Sequence, residues 1–362
     1  GCAFARHTKM PALPGARPPF ASTCLGRRKM RIAGAGDGKV DLSRGSPETE
    51  LFVERDAPMK LIDSIYKPIV EWGIREELLH GDHTGQNLWE PGEVATAQIY
   101  AKRRGTIAGL PVAEMTWRLL DSRCEIEQFR DDGDEVEPGA VLMKVTGEAW
   151  IFGAGERLAL DYLQHLSGIA TRARKYVRMV EPWGVGITDA RKGIPVIRYL
   201  QKYAVAMGGA RSHMYSLHNA ILIKDNHIKM AGGITPAVER LRRNIQHTLK
   251  IEVECETLDQ VSEALECDCE CIMLDNMDLD VLTDAVKLVD GRAYTVATGG
   301  VTEQTVIDIA KTGVDHIAIG EIVHSGDVLD ISIDIGGLKD SAKRDIRRAQ
   351  ASERRAHPSS AA

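Results

Sequence analysis

The densest concentration of chemically useful side chains lies between Asp189 and Asn226, in the stretches DARKG, GGARSH and LIKDNH. They bring Arg191, Lys192, Arg211, His213 and Lys224 into one short span, with Arg157 on the helical segment before them. Cations that converge on one cavity repel each other, and the usual compensation is a polyanionic ligand such as a phosphate or a di-acid. Two carboxylates, Glu254 and Asp275, close the apolar runs KIEVECE and CIMLDN. Beside an anion site they suit Mg²⁺ held together with a pyrophosphate, or positive charge developing on a sugar. Pairing with Lys224 or Lys192 is the plainer alternative, and both readings can hold in turn. ATGGVT and AIGEIVHS supply Thr298, Gly299, Gly300 and Gly320, turns in which backbone N–H groups can approach a phosphate closely.

These residues share a position in the pattern. Six short apolar runs, GVGITDA, AILIKDN, KIEVECE, CIMLDN, YTVATGG and HIAIGE, are separated by segments of helical spacing. Such runs predict buried parallel strands in βα units. Each closes on a reactive or glycine residue: Asp189, Lys224, Glu254, Asp275, Thr298 and Gly320. A parallel α/β barrel gathers its strand ends at one mouth, which explains the six together. A doubly wound sheet is disfavoured, since no GxGxxG follows a first strand. Upstream, LIDSIYKPIVEWGIREELL predicts an entry helix, and ATAQIYA, CEIEQFR and VLMKVTG predict a small sheet. Residues 154–182 predict a long helix with a break at Ser167 and Gly168. LDISIDIG predicts a last strand, followed by a frayed polar helix from about Lys339.

The chain has 362 residues, 43% hydrophobic and 27% charged, with net charge −6. A globular α/β protein fits that composition; a membrane span and a dedicated nucleic-acid binder do not. Residues 1–36 hold seven cations and none of the 52 acidic residues, and read as part of a disordered or non-native extension covering 1–58. An Arg-rich transit peptide is the lesser reading there, so the expected location is the cytoplasm. The seven cysteines show no framework spacing, which suits a reducing compartment. CDCEC at Cys267–Cys271 would place three sulfurs on one side of an extended segment, but zinc sites ordinarily use two-residue gaps, so buried or turn cysteines are expected.

From about Met59 to Gly337 the sequence resembles the quinolinate phosphoribosyltransferase family, the decarboxylating nicotinate-nucleotide pyrophosphorylases. The matching stretches include GDHT, AGLPVAE, GERLAL, LQHLSGIAT, DARK, LIKDNHI, KIEVECE, IMLDNM, TGGVT and HSGDVLDISIDI. The resemblance implies an N-terminal α/β sandwich over 59–167, completed by 326–338. It also implies an open, incomplete α/β barrel over 168–325, leaving 339–362 as a polar tail. It further implies a homodimer, or a higher even oligomer, in which Arg157 reaches the partner's active site. The implied reaction joins quinolinate to phosphoribosyl pyrophosphate with Mg²⁺, giving nicotinate mononucleotide, pyrophosphate and carbon dioxide. By motif, Arg191, Lys192 and His213 would line the acid pocket and Lys224 would stand between acid and phosphates. Glu254 and Asp275 would sit by ribose and Mg²⁺, and Thr298, Gly299, Gly300 and Gly320 would hold phosphate.

Three departures fall in the acid pocket. The family's DTRKT reads DARKG, its NHR reads SHM, and its GLxD reads SLHN. Gly193, Ser212 and Met214 therefore replace a threonine, an asparagine and a carboxylate-gripping arginine. Losing a bidentate arginine from a buried site costs about 2–5 kcal/mol. This leaves two alternatives: a paralogue that ribosylates another heteroaromatic acceptor, and a non-catalytic paralogue. The second conflicts with retention of Lys192, Lys224, Glu254 and Asp275.

Overall fold

The computed structural model describes residues 59–337 and 339–356. The expected extension over 1–58 lies outside the described residues, as does the end of the tail beyond 356. The entry helix forms over Asp63–Glu77 and buries Tyr66 and Val70. Strand β1 (Val94–Ala101), the short β2 (Gly105–Thr106), β3 (Glu125–Gln128), β4 (Glu135–Val136) and β5 (Val141–Glu148) follow. β1 pairs antiparallel with β5, and β5 with β3, while β2 and β4 make a separate ribbon. Alternation along β1 and β5 turns Ala97, Ile99, Met143 and Val145 into one core, closed by Trp117 and Phe152 from helices.

Six parallel strands make the second sheet: β6 (Gly186–Asp189), β7 (Ile221–Ile223), β8 (Ile251–Cys255), β9 (Cys271–Asp275), β10 (Tyr294–Thr298) and β11 (His316–Ile319). They correspond to the six apolar runs. Their order is β6-β11-β10-β9-β8-β7, so the first and second strands lie at the two free edges. The barrel is therefore open along one seam. Residues around Arg211 extend the β6 edge, with the Arg211 N–H on the Ile187 carbonyl at 2.8 Å and a parallel bridge between Thr188 and Arg211. Ile272, Leu274, Ala297, Ile317 and Ile319 pack outward against the helices, whereas Met273, Val296 and Ala318 form a small cluster on the opposite, inner face.

The last strand, β12 (Ile331–Ile335), returns to the N-terminal sheet and pairs antiparallel with β1. Helix Asp340–Ala356 docks there instead of fraying: Ile346 is buried against Tyr100, and Gln350 donates to the Pro138 carbonyl at 2.9 Å. No helix among the described residues is long and apolar enough to cross a membrane.

The expected break at Ser167 and Gly168 does not occur; helix Ala149–Val180 runs through it. Ser167 is fully buried and its hydroxyl exchanges hydrogen bonds with the backbone of Ala108, which satisfies it inside a helix. Gly168 is needed for close approach, since a Cβ there would sit 2.3 Å from the Asp327 carbonyl oxygen. Small residues at this point let one helix serve both sheets. Gly168→Ala should therefore lower unfolding stability by about 1–3 kcal/mol, read from the denaturant midpoint.

Candidate active site

Period-two alternation decides which strand-end residues reach the barrel interior. On β8, Ile251, Val253 and Cys255 join the outer core, so Glu252 and Glu254 turn inward. The same parity turns Lys224, Asp275, Thr298 and Gly320 to the inner face, at the carboxyl ends of β7, β9, β10 and β11. Thr298 stands directly beside Asp275 in the β9–β10 register. Lys224 Nζ meets Glu254 Oε1 at 3.1 Å, one of the lysine pairings the sequence offered for this carboxylate. Asp275 is half-buried, and its carboxylate has no hydrogen-bond or ion-pair partner among the described residues. An uncompensated carboxylate beside a second one fits a divalent cation, with Glu254 and Asp275 the residues to hold it.

Asp189 behaves differently from the other five. It shares its parity with Ile187, so it points out of the barrel, where both of its oxygens accept from Lys202 Nζ at 2.8 Å. Both side chains are about 1% exposed, and burial pushes the Asp189 carboxyl up and the Lys202 ammonium down, each against the pull of its partner. Asp189 Oδ1 also accepts the His213 N–H at 2.8 Å, and Lys202 donates to the His213 carbonyl at 3.3 Å. The pair thus pins the seam segment to the end of β6. The His213 ring is held in turn, with Nε2 2.7 Å from Glu252 Oε2. Because an ionised carboxylate only accepts, Nε2 carries the proton in this contact.

Glycines shape the phosphate side. Gly299 and Gly300 have φ of +91° and +57°, and a Cβ on Gly299 would lie 2.2 Å from Asn276 Oδ1. Around Gly300 a Cβ would meet nothing within 4 Å, so that turn faces open space. Lys192 runs its stem across Gly320, where a Cβ would be 3.0 Å from Lys192 Cδ. Lys192 and Arg191 are exposed and make no hydrogen bond or ion pair among the described residues. The helices after these turns, Val306–Lys311 and Glu321–His324, are short, so an anion at this end would meet backbone N–H groups of the turns themselves.

The altered positions are also placed. Gly193 lies over Gln201, whose Oε1 would be 2.5 Å from a Cβ and instead accepts the Ile194 N–H at 2.7 Å. Met214 is 8% exposed and Ser212 is exposed. Arg157 lies on helix Ala149–Val180, exposed, with a long 3.5 Å contact to Asp161. The cysteines of CDCEC do not line one extended segment. Cys267 caps a helix, Asp268 takes a left-handed φ of 53°, and only Cys271 is in a strand. Burial pushes the Cys269 and Cys271 thiols up to about 12 and 11, keeping them protonated, and no group of three or more His, Cys, Asp or Glu placed to hold a metal ion occurs among the described residues.

Sequence reading passed over Lys202, Glu252 and Gln201. Glu252 carries a signal in hindsight, because it shares parity with Glu254. Lys202 is a lone charge in a helix turn otherwise buried.

Two measurements check this network. Lys202→Ala leaves Asp189 buried and unpaired and should cost about 3–5 kcal/mol, much of it recovered by Asp189→Leu with Lys202→Met. Burial also lowers the pKa of His165 and His316 from the ordinary 6.5. The unfolded chain then binds protons that the folded chain refuses, so stability should fall as pH drops below about 6.5, and His316→Asn should shrink that fall in a pH series of melting curves.

The comparisons with known proteins agree with this geometry. Models of the quinolinate phosphoribosyl transferase N-terminal and C-terminal domains match residues 82–167 and 169–334. A probable nicotinate-nucleotide pyrophosphorylase (carboxylating) of Synechocystis is 37% identical over 290 residues, covering 79% of this chain and 98% of the relative. The chloroplastic nicotinate-nucleotide pyrophosphorylase (carboxylating) of Oryza sativa is 38% identical, covering 68% of this chain and 71% of its own length. The crystal structure of the Ehrlichia chaffeensis nicotinate-nucleotide pyrophosphorylase superposes with a TM-score of 0.72 at 34% identity, over 76% of this chain and all of that one. With two family models end to end over residues 82–167 and 169–334, and a lysine, two carboxylates and glycines turned inward at the strand ends, the chain belongs to the quinolinate phosphoribosyltransferase family.

Proposed function

We propose that this chain transfers phosphoribose from phosphoribosyl pyrophosphate to the ring nitrogen of quinolinate and releases nicotinate mononucleotide, pyrophosphate and carbon dioxide. The observation that carries the reading is the shared inner face of Lys224, Glu254, Asp275, Thr298 and Gly320 at one barrel mouth. Lys192 and the Gly299–Gly300 turn hold the phosphates, and Arg191 with His213 receives the pyridine acid. Lys224 leaves Glu254 for the bound phosphates, which frees Glu254 to face the ribose. Glu254 and Asp275 would hold Mg²⁺, which when bound would supply charge neutralisation for the pyrophosphate leaving group.

The chemistry asks mainly for positioning and electrostatics. Loss of pyrophosphate leaves an oxocarbenium-like ribose that the Glu254 and Asp275 carboxylates stabilise. Attack by the ring nitrogen makes a pyridinium, an electron sink for loss of the adjacent carboxylate. Arg157, exposed and weakly paired, is assigned to the active site of a second copy in a homodimer. Exposed Trp72 and Leu79 give the N-terminal part an apolar surface suited to such contact. The cytoplasm is the proposed location, in keeping with the five free cysteines among the described residues.

Incubation with phosphoribosyl pyrophosphate, Mg²⁺ and quinolinate should yield nicotinate mononucleotide by mass detection. Lys224→Ala should lower kcat about 10²–10³-fold. Turnover of a different heteroaromatic acid with none of quinolinate would overturn the assignment of acceptor.

A further inference from the structure

Met214 stands where the family pattern has an arginine gripping a carboxylate, so one carboxylate of a di-acid loses its bidentate partner. Arg198, the first residue of helix Arg198–Met207, is suited to supply it. Its side chain is half-buried, its Nε is fully buried, and no hydrogen bond or ion pair reaches it from the described residues. A guanidinium N–H withdrawn from water without an acceptor is unfavourable unless a ligand provides one.

Its helix packs against the seam segment that carries His213 and Met214, and its stem lies beside Gly193. The helix that begins at Arg198 touches the seam segment twice: Tyr199 packs edge-on against Tyr215 with ring centroids 6.1 Å apart, and Lys202 reaches the His213 carbonyl at 3.3 Å. Arg198 and Met214 each precede one of those two tyrosines. Arg198 also acts electrostatically on Lys202 and on Tyr215. Gly193 lies beside it, since a Cβ there would be 3.9 Å from Arg198 Cγ, and the missing side chain keeps that approach clear.

The charge pattern of the seam points the same way. Against the family pattern, the segment lacks an arginine at Met214 and also an acid at Asn219, whose side chain here accepts the Ser216 N–H. The two losses cancel in net charge. They leave no carboxylate in this segment to neutralise a neighbouring guanidinium.

We infer that Arg198 is a substrate-binding residue that grips one carboxylate of the pyridine di-acid in place of the arginine missing at 214. This rests on the function proposed above and names a specificity-determining contact within that site. A guanidinium can take a carboxylate through two parallel N–H donors, a geometry lysine cannot reproduce.

The test uses the full chain as wild type, Arg198→Gln, Arg198→Lys and the double variant Arg198→Gln with Met214→Arg. Quinolinate KM, phosphoribosyl pyrophosphate KM, melting temperature and equilibrium dialysis of quinolinate, pyridine-2-carboxylate and pyridine-3-carboxylate are measured for each. Arg198→Gln should raise quinolinate KM about 30-fold or more and leave the phosphoribosyl pyrophosphate KM unchanged. Affinity for one mono-acid should fall and the other should be spared, Arg198→Lys should rescue poorly, and Met214→Arg should restore quinolinate binding. An unchanged quinolinate KM, or an equal fall in affinity for every ligand together with a lower melting temperature, would overturn the assignment while leaving the proposed function standing. A wild-type chain that binds no pyridine acid would overturn both.

Discussion

A lysine and an aspartate withdrawn from water are tolerable only together, and Lys202 and Asp189 are both about 1% exposed. Their contact joins three pieces of chain through buried side chains: the end of β6, the helix Arg198–Met207, and the seam segment through the backbone of His213, beside the backbone bonds of Arg211 to β6 and the Tyr199–Tyr215 contact. The barrel is open between β6 and β7, so that segment has no full ladder of strand hydrogen bonds. Without the pair, the side chains expected to receive the acid would hang from an irregular loop. With it, the His213 ring is fixed between the clamp on its own backbone and the Glu252 carboxylate.

The mouth then divides into two halves with different chemistry. The half proposed for ribose and phosphate is built from regular strand ends, where register sets the spacing and glycine removes Cβ atoms that would collide. The acid half is built from the loop after β6 and from the seam, where Gly193, Ser212 and Met214 depart from the family pattern. Substitution is easier to absorb there because no strand ladder depends on it.

Much of this was legible in the sequence. All six barrel strands appeared as apolar runs, and the helix, sheet and final strand around them were marked by spacing. Lys224, Glu254, Asp275 and the glycine turns were found from their place at run ends. Asp189 was grouped with them because run ends alone do not tell inner from outer face; its shared parity with Ile187 does. Ser167 and Gly168 read as a break because a hydroxyl and a glycine usually weaken helices. Only the tertiary contacts with Ala108 and Asp327 show why a continuous helix needs them there. The clamp itself joins residues 13 apart through a side chain buried on a helix, a pairing that local pattern does not specify.

The coupling of the two halves is tested most directly by following pyrophosphate and carbon dioxide together from carboxyl-labelled quinolinate in one reaction. If one mouth positions both the ribosyl donor and the di-acid, the two products should appear in a ratio of about one to one with nicotinate mononucleotide. Pyrophosphate released without carbon dioxide would contradict that arrangement and show that the acid half no longer presents quinolinate to the ribose.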